Sequence, residues 1–441
     1  MQAADNALME QAERAWQGKL DLMHEHHPVN SPLAGGHEVV AGVLAHKGIA
    51  YSYAIDCGES LVLLDVGLQT EVQRLHDAVR AWRPNTPVRL VVFSHHHVDH
   101  IFGAAPFVAE AQQRGWPIPE IIAHELTEQH FARYVATAGW NTAINRRQFA
   151  IHAPNYHWPT DYPQPDTLYR RQIHRTIGEL TFEMNHARGE TDDHTWTWIP
   201  EKKILMPGDL FIWALPNAGN PQKVQRYVSD WAAALRDMDT RGAELMIPGH
   251  GFPILGAQRI HTALSDTADL LEDLEAQVLA LMNKGLTLDA VYHRVTLPTT
   301  LMQRPYLQPI YDDVHFLIRM IWRRYGGWWD GEYDTLLPAS RAELAQAWMA
   351  LAGGIERVVA QAEAMADAQP AVAAHLIETA LHAAPENDAV HAARAIIYRA
   401  RSASLTASMP RNIFNHAAMS SDAGVRDLAS ADLQRNSEPP A

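Results

Sequence analysis

Residues 94–100, with the sequence Ser-His-His-His-Val-Asp-His, constrain what this chain can fold into more than any other stretch. They follow the apolar and β-branched residues 88–93, which predict a buried strand, so the cluster lies in the loop where that strand ends. Neutral imidazole and carboxylate are the usual ligands of zinc and related divalent ions. In a turn, the side chains of His95 and His97 can converge on one ion. The stretch therefore predicts a metal site at a strand end.

Asp99 and His100 complete the cluster and can reach a second ion a few ångströms from the first. Catalytic metal sites leave a coordination position open for water. The alternative is a solvated surface cluster, since the chain has 25 histidines. Further imidazole and carboxylate groups at the ends of later predicted strands favour the metal site.

The spacing His-x-His-x-Asp-His after a hydrophobic strand resembles the metallo-β-lactamase superfamily, and further signatures agree with that resemblance. Asp65 matches the early strand-end aspartate that supports the metal loop from behind. His194 matches the third ligand of the first metal. Asp209 matches the carboxylate that bridges two metals, and His250 matches the last ligand of the second metal. The resemblance implies an α/β fold, the αββα metallo-β-lactamase sandwich.

The resemblance also implies two divalent metal ions, with Zn2+ expected and Mn2+ or Fe2+ as alternatives. The implied ligands are His95, His97 and His194 for one ion, Asp99, His100 and His250 for the other, and Asp209 for both. Asp99 and Asp209 are the expected catalytic residues, because Asp99 can orient the attacking water that the metals share. Such a water has a lowered pKa and supplies hydroxide near neutral pH. The ligand set therefore predicts hydrolysis of an ester-like bond.

Charge and cysteine content exclude several classes of function. The chain has 51 acidic and 36 basic residues, and its formal charge of -15 argues against nucleic acid as an electrostatic partner. An anionic substrate would have to be attracted locally, by metals and a few cations. Cys57 is the only cysteine, which excludes an intrachain disulfide and a thiolate zinc site.

The sequence predicts a soluble, unanchored protein. Residues 1–21 are polar and helix-forming, without the apolar core of a signal peptide, and no run reaches the ~18 apolar residues of a membrane span. A cytoplasmic location is expected for the chain as it stands, and a periplasmic or secreted one if a leader has been removed.

Periodicity divides the chain into an α/β half and a helical half. Strands are predicted at residues 38–45, 49–55, 61–65, 88–93, 121–124, 180–185, 194–199, 203–206 and 243–247. Helices are predicted at residues 4–24, 70–82, 257–283, 306–325, 340–352, 355–369, 371–384 and 387–401. Alternating strands and helices in the first half favour a layered α/β fold.

The helical half resembles the dimerisation domain of the alkyl sulfatase branch of the superfamily. The matching stretches are residues 309–314 (Pro-Ile-Tyr-Asp-Asp-Val), 325–331 (Tyr-Gly-Gly-Trp-Trp-Asp-Gly) and 411–414 (Arg-Asn-Ile-Phe). The resemblance implies a homodimer formed through an all-α domain. The alternative for the tryptophan pair is an ordinary core cluster. No counterpart of the branch's sterol-carrier-like C-terminal domain is expected.

A length of 441 residues is too great for one ordinary core, so at least two domains are expected. The predicted limits are an N-terminal helix and link at 1–34, a catalytic domain at 35–256, a helical dimerisation domain at 257–415 and a mobile tail at 416–441.

Residues 138–175 combine aromatics, prolines and paired cations with weak periodicity. A long irregular stretch between regular elements is often functional, so we predict a substrate-lining loop, with a packed surface insertion as the alternative. The expected substrate-binding residues are Arg146, Arg147, Tyr156 and Trp158 in this segment, and Asn217 and Lys223 after the bridging acid.

A sulfate ester, anionic with an apolar part, is the predicted substrate, because the helical half resembles alkyl sulfatases. Two departures from the pattern of the alkyl sulfatase branch leave other esters as alternative substrates. The branch typically carries glutamates where this chain has His194 and Asp209, and the arginine expected after the bridging acid is not evident. Lys223 can supply its charge but not its bidentate geometry. The alternatives are a phosphate ester, a lactone or another carboxylic ester at the same centre, and a non-catalytic binding protein of the same fold.

Overall fold

The computed structural model describes residue 4 and residues 6–29, 35–153 and 155–437. The chain forms two compact units, one of Met1–Arg133 and Asp161–Trp328, the other of Tyr134–Thr160 and Trp329–Ala441. The predicted boundary at residue 256 falls inside the first unit, and the predicted domain limits stay predictions.

The first unit contains two mixed sheets. Their strands are β1 (Gly35–Val40), β2 (Val43–Lys47), β3 (Tyr51–Asp56), β4 (Leu61–Leu64), β5 (Val88–Val92), β6 (Glu120–His124), β7 (Thr167–Tyr169), β8 (Gln172–Ile177), β9 (Leu180–Ala187), β10 (His194–Ile199), β11 (Ile204–Gly208), β12 (Leu245–Pro248) and β13 (Ile254–Leu255).

Helices occur in both units. They are α1 (Ala7–Trp16), α2 (Val72–Trp82), α3 (Val98–Ile101), α4 (Ala105–Arg114), α5 (Thr127–Ala136), α6 (Ala138–Gln148), α7 (Val228–Asp239), α8 (Ala257–Met282), α9 (Leu288–Tyr292), α10 (Val314–Gly326), α11 (Tyr333–Leu336), α12 (Arg341–Ala352), α13 (Ile355–Met365), α14 (Pro370–Ala383), α15 (Asp388–Ala403), α16 (Ser408–Asp422) and α17 (Leu428–Ser437). No helix among the described residues is long and apolar enough to cross a membrane.

Strand order brings the predicted ligand positions to strand ends. The larger sheet has the order β1-β2-β3-β4-β5-β6-β7, with β4 to β7 parallel, and the smaller has the order β13-β12-β11-β10-β9-β8, with β11 and β12 parallel. Asp65 follows β4, the histidine loop follows β5, Asp209 follows β11 and His250 is the second residue after β12. Because parallel strands end at the same edge of a sheet, each sheet presents two of these positions together.

Burial explains why these segments form central strands. All four residues of β4 and all five of β11 are buried, and β5 exposes only Arg89. Continuous apolar runs of this kind are typical of strands covered on both faces. The predicted α/β architecture, two sheets followed in sequence by a helical region, is confirmed.

The second unit packs its helices around a core of its own. Ile377, Val390 and Ile397 are completely buried, and alanines such as Ala362 and Ala380 line the same core. Small side chains let neighbouring helices approach closely, which explains why the alanine-rich sequence of this region packs at all. The predicted helices at 340–352, 355–369, 371–384 and 387–401 correspond to α12 to α15.

Four predicted elements differ from the structure. The predicted helix at 4–24 is shorter, since α1 ends at Trp16. The predicted strand at 38–45 is two strands, β1 and β2, because a turn at residues 41–42 reverses the chain. The predicted helix at 306–325 begins only at Val314, where the Asp313 side chain caps it by accepting the backbone N–H of His315. The segment 138–175, predicted as irregular, begins with α6 and ends with strands β7 and β8.

Part of the segment predicted as a mobile tail is helical, while its mobility stays a prediction. Residues 416–422 continue α16, and α17 follows at Leu428–Ser437, while residues 438–441 lie outside the described part of the chain. Local hydrogen bonds account for the order: Asp427 accepts from His416 Nε2 and from the Ser430 hydroxyl. The composition of the tail did not reveal these partners.

The adjacent residues Ile396 and Ile397 of α15 provide a test of the second core. Ile397→Ala should destabilise the protein by about 2–5 kcal/mol, because it leaves a cavity among buried side chains. Ile396, which is 58% exposed, is the matched control, and its alanine variant should stay within about 0.5 kcal/mol of the native protein. Urea unfolding of the full chain measures both, and equal destabilisation would contradict the assigned core.

Candidate metal centre

The loop after β5 is organised by one buried carboxylate, that of Asp65. Its oxygens accept hydrogen bonds from the Ser94 backbone N–H (2.7 Å), the Ser94 hydroxyl (2.8 Å) and His100 Nδ1 (2.7 Å). Asp65 is fully buried and has a positive φ of 56°, a strained backbone conformation for a residue with a side chain. The carboxylate therefore holds the two ends of the histidine loop.

The first cluster of ligand atoms consists of His95, His97, Glu190 and Asp209, whose nitrogen and oxygen atoms lie within 4.8 Å of one another. Glu190 Oε2 is 3.5 Å from His95 Nε2 and 3.3 Å from His97 Nδ1. Asp209 Oδ2 is 3.9 Å from His95 Nε2. Two imidazoles and two carboxylates converging in this way suit a divalent ion such as Zn2+.

The second cluster consists of Asp99, His100 and His250. Asp99 Oδ2 lies 3.4 Å from His250 Nε2 and 3.7 Å from His100 Nε2. Asp209 Oδ2 lies 3.4 Å from His100 Nε2 and 3.3 Å from His250 Nε2. Asp209 therefore faces both clusters, as a bridging carboxylate would.

Hydrogen bonds behind the histidines fix which ring nitrogen faces the centre. His100 Nδ1 donates to Asp65, and His250 Nδ1 donates to the Ile49 carbonyl (3.1 Å). Since the Ser94 hydroxyl donates to Asp65, its oxygen accepts from His95 Nδ1 at 2.9 Å. In all three rings Nδ1 is thus engaged by a hydrogen bond and Nε2 points to the centre, the usual arrangement of a metal ligand.

Unpaired buried atoms show that the residues fit metal ions. His100 Nε2, Glu190 Oε2 and Asp209 Oδ1 are buried without a hydrogen-bond partner in the described residues. Buried polar atoms are otherwise almost always paired, because leaving one unpaired costs about 1–3 kcal/mol. Unpaired atoms on residues of both clusters are explained if divalent ions complete the site.

Close packing at a glycine sets the position of Asp209 beside the His250 turn. A Cβ atom on Gly249 would lie 2.1 Å from Asp209 Oδ1 and 2.9 Å from the Gly208 carbonyl carbon. The Gly249 N–H also donates to the Gly208 carbonyl at 2.8 Å. The strand end that carries Asp209 and the strand end that carries His250 can therefore meet only with glycine at this position.

Glu190 is a site residue that the sequence analysis missed. Its Oε1 accepts from Asn217 Nδ2 (2.6 Å) and Arg226 Nη1 (2.5 Å), which leaves Oε2 facing His95 and His97. Arg226, only 2% exposed, also donates to the Asn217 carbonyl. Glu190 follows the end of β9, and the glutamates of the alkyl sulfatase branch were the signal that could have drawn attention to it.

His194, the residue expected as a ligand of the first metal, does not join either cluster. Its Nε2 lies 3.0 Å from the Pro207 carbonyl and 3.2 Å from the Asp209 backbone nitrogen. The centroid of its ring lies 4.6 Å from that of His95, and the two ring planes are tilted by 36°. His194 thus packs next to His95 and outside both clusters, while its role as a ligand stays a prediction.

Neighbouring charges set the ionisation of the cluster residues. Burial would lower the pKa of His100, but the carboxylates of Asp209, Asp65 and Asp99 outweigh burial and raise it well above its ordinary value. The same opposition raises the pKa of His250 to about 9.

The acids and the remaining imidazoles follow the same physical rules. Burial would raise the pKa of Glu190, but Arg226 and His97 hold it well below its ordinary value. Burial lowers the pKa of His97 to about 4 and that of His194 to about 3. The carboxylates are thus ionised, and His97 and His194 are neutral, near pH 7.

A third group, His96, His130 and Asp193, lies behind the loop. Asp193 accepts from the His96 backbone N–H (3.0 Å), His96 Nδ1 (2.9 Å) and the Thr127 hydroxyl (2.9 Å). His96 Nε2 accepts from Arg133 Nη2 at 3.0 Å. Because a guanidinium already occupies that nitrogen, we interpret the group as a hydrogen-bond network and not as a further metal site.

Four of the six predicted substrate residues lie in the second unit. Arg146 pairs with Asp432 (2.6 Å) and Arg147 pairs with Asp427. Tyr156 is half-buried, and Trp158 is buried with its ring 5.1 Å from that of Tyr134. Their assignment to substrate binding stays a prediction. Asn217 and Lys223 belong to the first unit, where Asn217 supports Glu190.

Comparisons with known proteins agree with this geometry. Residues 47–250 match the metallo-β-lactamase superfamily and residues 287–424 match the alkyl sulfatase dimerisation family. A linear primary-alkylsulfatase of Pseudomonas sp. (strain ATCC 19151) is 28% identical over 69% of this chain and 61% of its own length. An (R)-specific secondary-alkylsulfatase of Pseudomonas sp. is 26% identical over 76% of this chain and 54% of its own length. The chain thus spans about half to three fifths of the length of these relatives.

A solved structure shares the fold. The stereoselective inverting sec-alkylsulfatase Pisa1 from Pseudomonas sp. superposes with a TM-score of 0.80 at 24% identity, over 89% of this chain and 66% of that one. This likeness bears on the fold alone.

Metal content separates Glu190 from His194 as ligands. Glu190→Gln should reduce bound metal by about one ion per chain, because the amide cannot replace a charged ligand. Asp209→Ala should lose both ions and all activity, while the variant should still form a dimer. Elemental analysis of zinc-loaded protein gives the stoichiometry. Glu183→Gln, on strand β9, which precedes Glu190 in the chain, is the control and should bind metal like the native protein. Full metal content in Glu190→Gln, with loss in His194→Gln, would restore the assignment made from sequence.

Proposed function

Because this chain carries a metallo-β-lactamase domain and an alkyl sulfatase dimerisation domain, we propose that it is a dinuclear metal hydrolase of alkyl sulfate esters. The observation that carries the proposal is Asp209, whose Oδ2 faces imidazoles of two separate ligand clusters. The proposed substrate class is taken from the names of the relatives, and the proposed type of reaction is taken from the residues of the site. The imidazole and carboxylate ligands suit Zn2+, with Mn2+ and Fe2+ as alternatives.

The roles of the residues follow from the two clusters. His95, His97 and Glu190 would hold one ion, and Asp99, His100 and His250 the other, with Asp209 shared. When bound, a pair of divalent ions supplies Lewis acidity and lowers the pKa of a shared water. Arg226 keeps Glu190 ionised and oriented through its buried ion pair at 2.5 Å.

Asp99 is the ligand best placed to handle the attacking water. Its side chain is 21% exposed, whereas those of His100, His250 and Asp209 are 5% exposed or less. Burial would raise its pKa, but His100 and His250 outweigh burial, so the carboxylate remains ionised and able to accept a hydrogen bond. An ionised acceptor at the open side of the centre can orient the nucleophile toward the ester.

Sulfate release tests the proposed activity. Metal-loaded protein should release inorganic sulfate from a medium-chain alkyl sulfate, and removal of metal by a chelator should abolish the release, since the hydroxide nucleophile depends on the metals. A phosphodiester and a lactone, run in parallel, are the competing substrates. Asp209→Ala serves as the inactive control. Turnover of either competitor without sulfate release would replace the proposed substrate class.

Homodimerisation through the helical region is the second part of the proposal. Residues 287–424, which match the alkyl sulfatase dimerisation family, include α12. One face of α12 exposes Leu344 (51%), Trp348 (54%) and Leu351 (79%), at spacings of four and three residues. An apolar stripe of this kind is costly to leave in water, so a second copy of the chain is the proposed partner.

A charge placed on this stripe should prevent the association. Trp348→Glu should convert a dimer into a monomer, because a carboxylate would be buried without a partner at the interface. Light scattering coupled to size exclusion gives the mass at matched concentrations. Ile118→Glu, at an isoleucine of the first unit that is 49% exposed, is the control and should remain dimeric. A dimeric Trp348→Glu would exclude this face as the interface.

A further inference from the structure

Arg133 lies at the end of a hydrogen-bond chain that starts in the metal loop. Asp193 accepts from His96 Nδ1, which makes Nε2 of that ring the acceptor for Arg133 Nη2 at 3.0 Å. This hydrogen bond holds the guanidinium at one of its terminal nitrogens.

These hydrogen bonds place Arg133 close to the ligands of the first cluster. The ring of His96 is 5.0 Å from that of His97 and 6.3 Å from that of His95. His96 is 1% exposed, whereas Arg133 is half-buried. The ring that holds the guanidinium is therefore buried next to the ring of His97.

Lys223 is a second cation in the same region. It interacts electrostatically with Glu190, Asp99 and Arg133, and its pKa is lowered to about 8, chiefly by burial. Its electrostatic partners thus include one residue of each ligand cluster, since Glu190 belongs to one and Asp99 to the other. Arg133 and Lys223 come from different segments, α5 and the stretch before α7.

The excess of carboxylates at the centre indicates why further cations are needed there. The centre has three carboxylates, Asp99, Glu190 and Asp209, and Arg226 is committed to Glu190 through a buried ion pair. The whole chain has a formal charge of -15, so its overall field repels anions. A substrate with a sulfate group needs local cations beyond the metals to approach and to be oriented.

We propose that Arg133 and Lys223 form the anion-recognition pair of this site, with Arg133 supplying the planar, bidentate contact to a tetrahedral oxyanion and Lys223 a point charge. The inference rests on the proposed function and adds its specificity residues. It also accounts for the missing arginine after the bridging acid, because a guanidinium arrives from helix α5 instead. Asp193 and His96 act as positioning residues that orient Arg133.

Binding of inorganic sulfate tests the pair directly. Calorimetric titration of zinc-loaded protein with sodium sulfate should give an affinity about ten-fold or more weaker for Arg133→Met and for Lys223→Met, because each loses a charge-assisted contact. Arg133→Lys should recover only part of the loss, since it keeps the charge without the fork. Arg89→Met, at an exposed cation of β5, removes the same charge and should bind sulfate like the native protein.

Metal content, measured on each variant, separates recognition from structure. Variants with native metal content and weakened sulfate binding support the pair, and native sulfate affinity in Arg133→Met would overturn it. If Arg133→Met loses metal, the comparison of Arg133→Lys with Lys223→Met decides, and native sulfate affinity in both would likewise overturn the pair. Native protein that binds sulfate through these residues without cleaving any alkyl sulfate would refute the proposed function alone.

Discussion

The buried carboxylate of Asp65 is the interaction on which the rest of the site depends. It accepts hydrogen bonds from the Ser94 backbone, the Ser94 hydroxyl and His100 Nδ1. Through the hydroxyl it also sets the tautomer of His95, so one carboxylate orients a ligand of each cluster. Asp65 directly follows the fully buried strand β4, so the packed sheet fixes its position. The two histidines that Asp65 orients are fixed with it. A strained φ at this residue is tolerated where so many contacts determine its position.

Electrostatics explains how so many ionisable groups can be buried together. Each acid of the centre faces a cation or an imidazole, as Glu190 faces Arg226 and Asp209 faces His100 and His250. Divalent ions would complete this compensation, since three ligand atoms have no hydrogen-bond partner in the described structure. These pairings explain how the acids of the centre can be buried together in a chain that is strongly acidic overall.

The ligand positions illustrate how far local pattern reaches. The histidine loop and Asp209 were recognisable from spacing because each follows a strand signal directly, and strand ends are local features. Glu190 and His194 occur four residues apart, and only the direction in which each side chain points places Glu190 in a cluster of possible ligand atoms and His194 outside it. That direction depends on Asn217 and Arg226, which approach from another segment. Likewise, α6 was predicted as irregular because its helical pattern is weak: seven of its eleven residues are buried, among them two asparagines, a glutamine and an arginine.

By itself, the sequence determined the order of strands and helices in most of the chain, the metal loop and the helical character of the second half. These features arise from hydrophobic period and from residues close together in the chain. Only the tertiary structure decided the pairing of Arg226 with Glu190, the hold of Asp193 and His96 on Arg133, and the ion pairs that occupy Arg146 and Arg147. Each of these joins residues distant in sequence, and burial makes such a polar contact specific, because an unpaired charge in the interior is too costly.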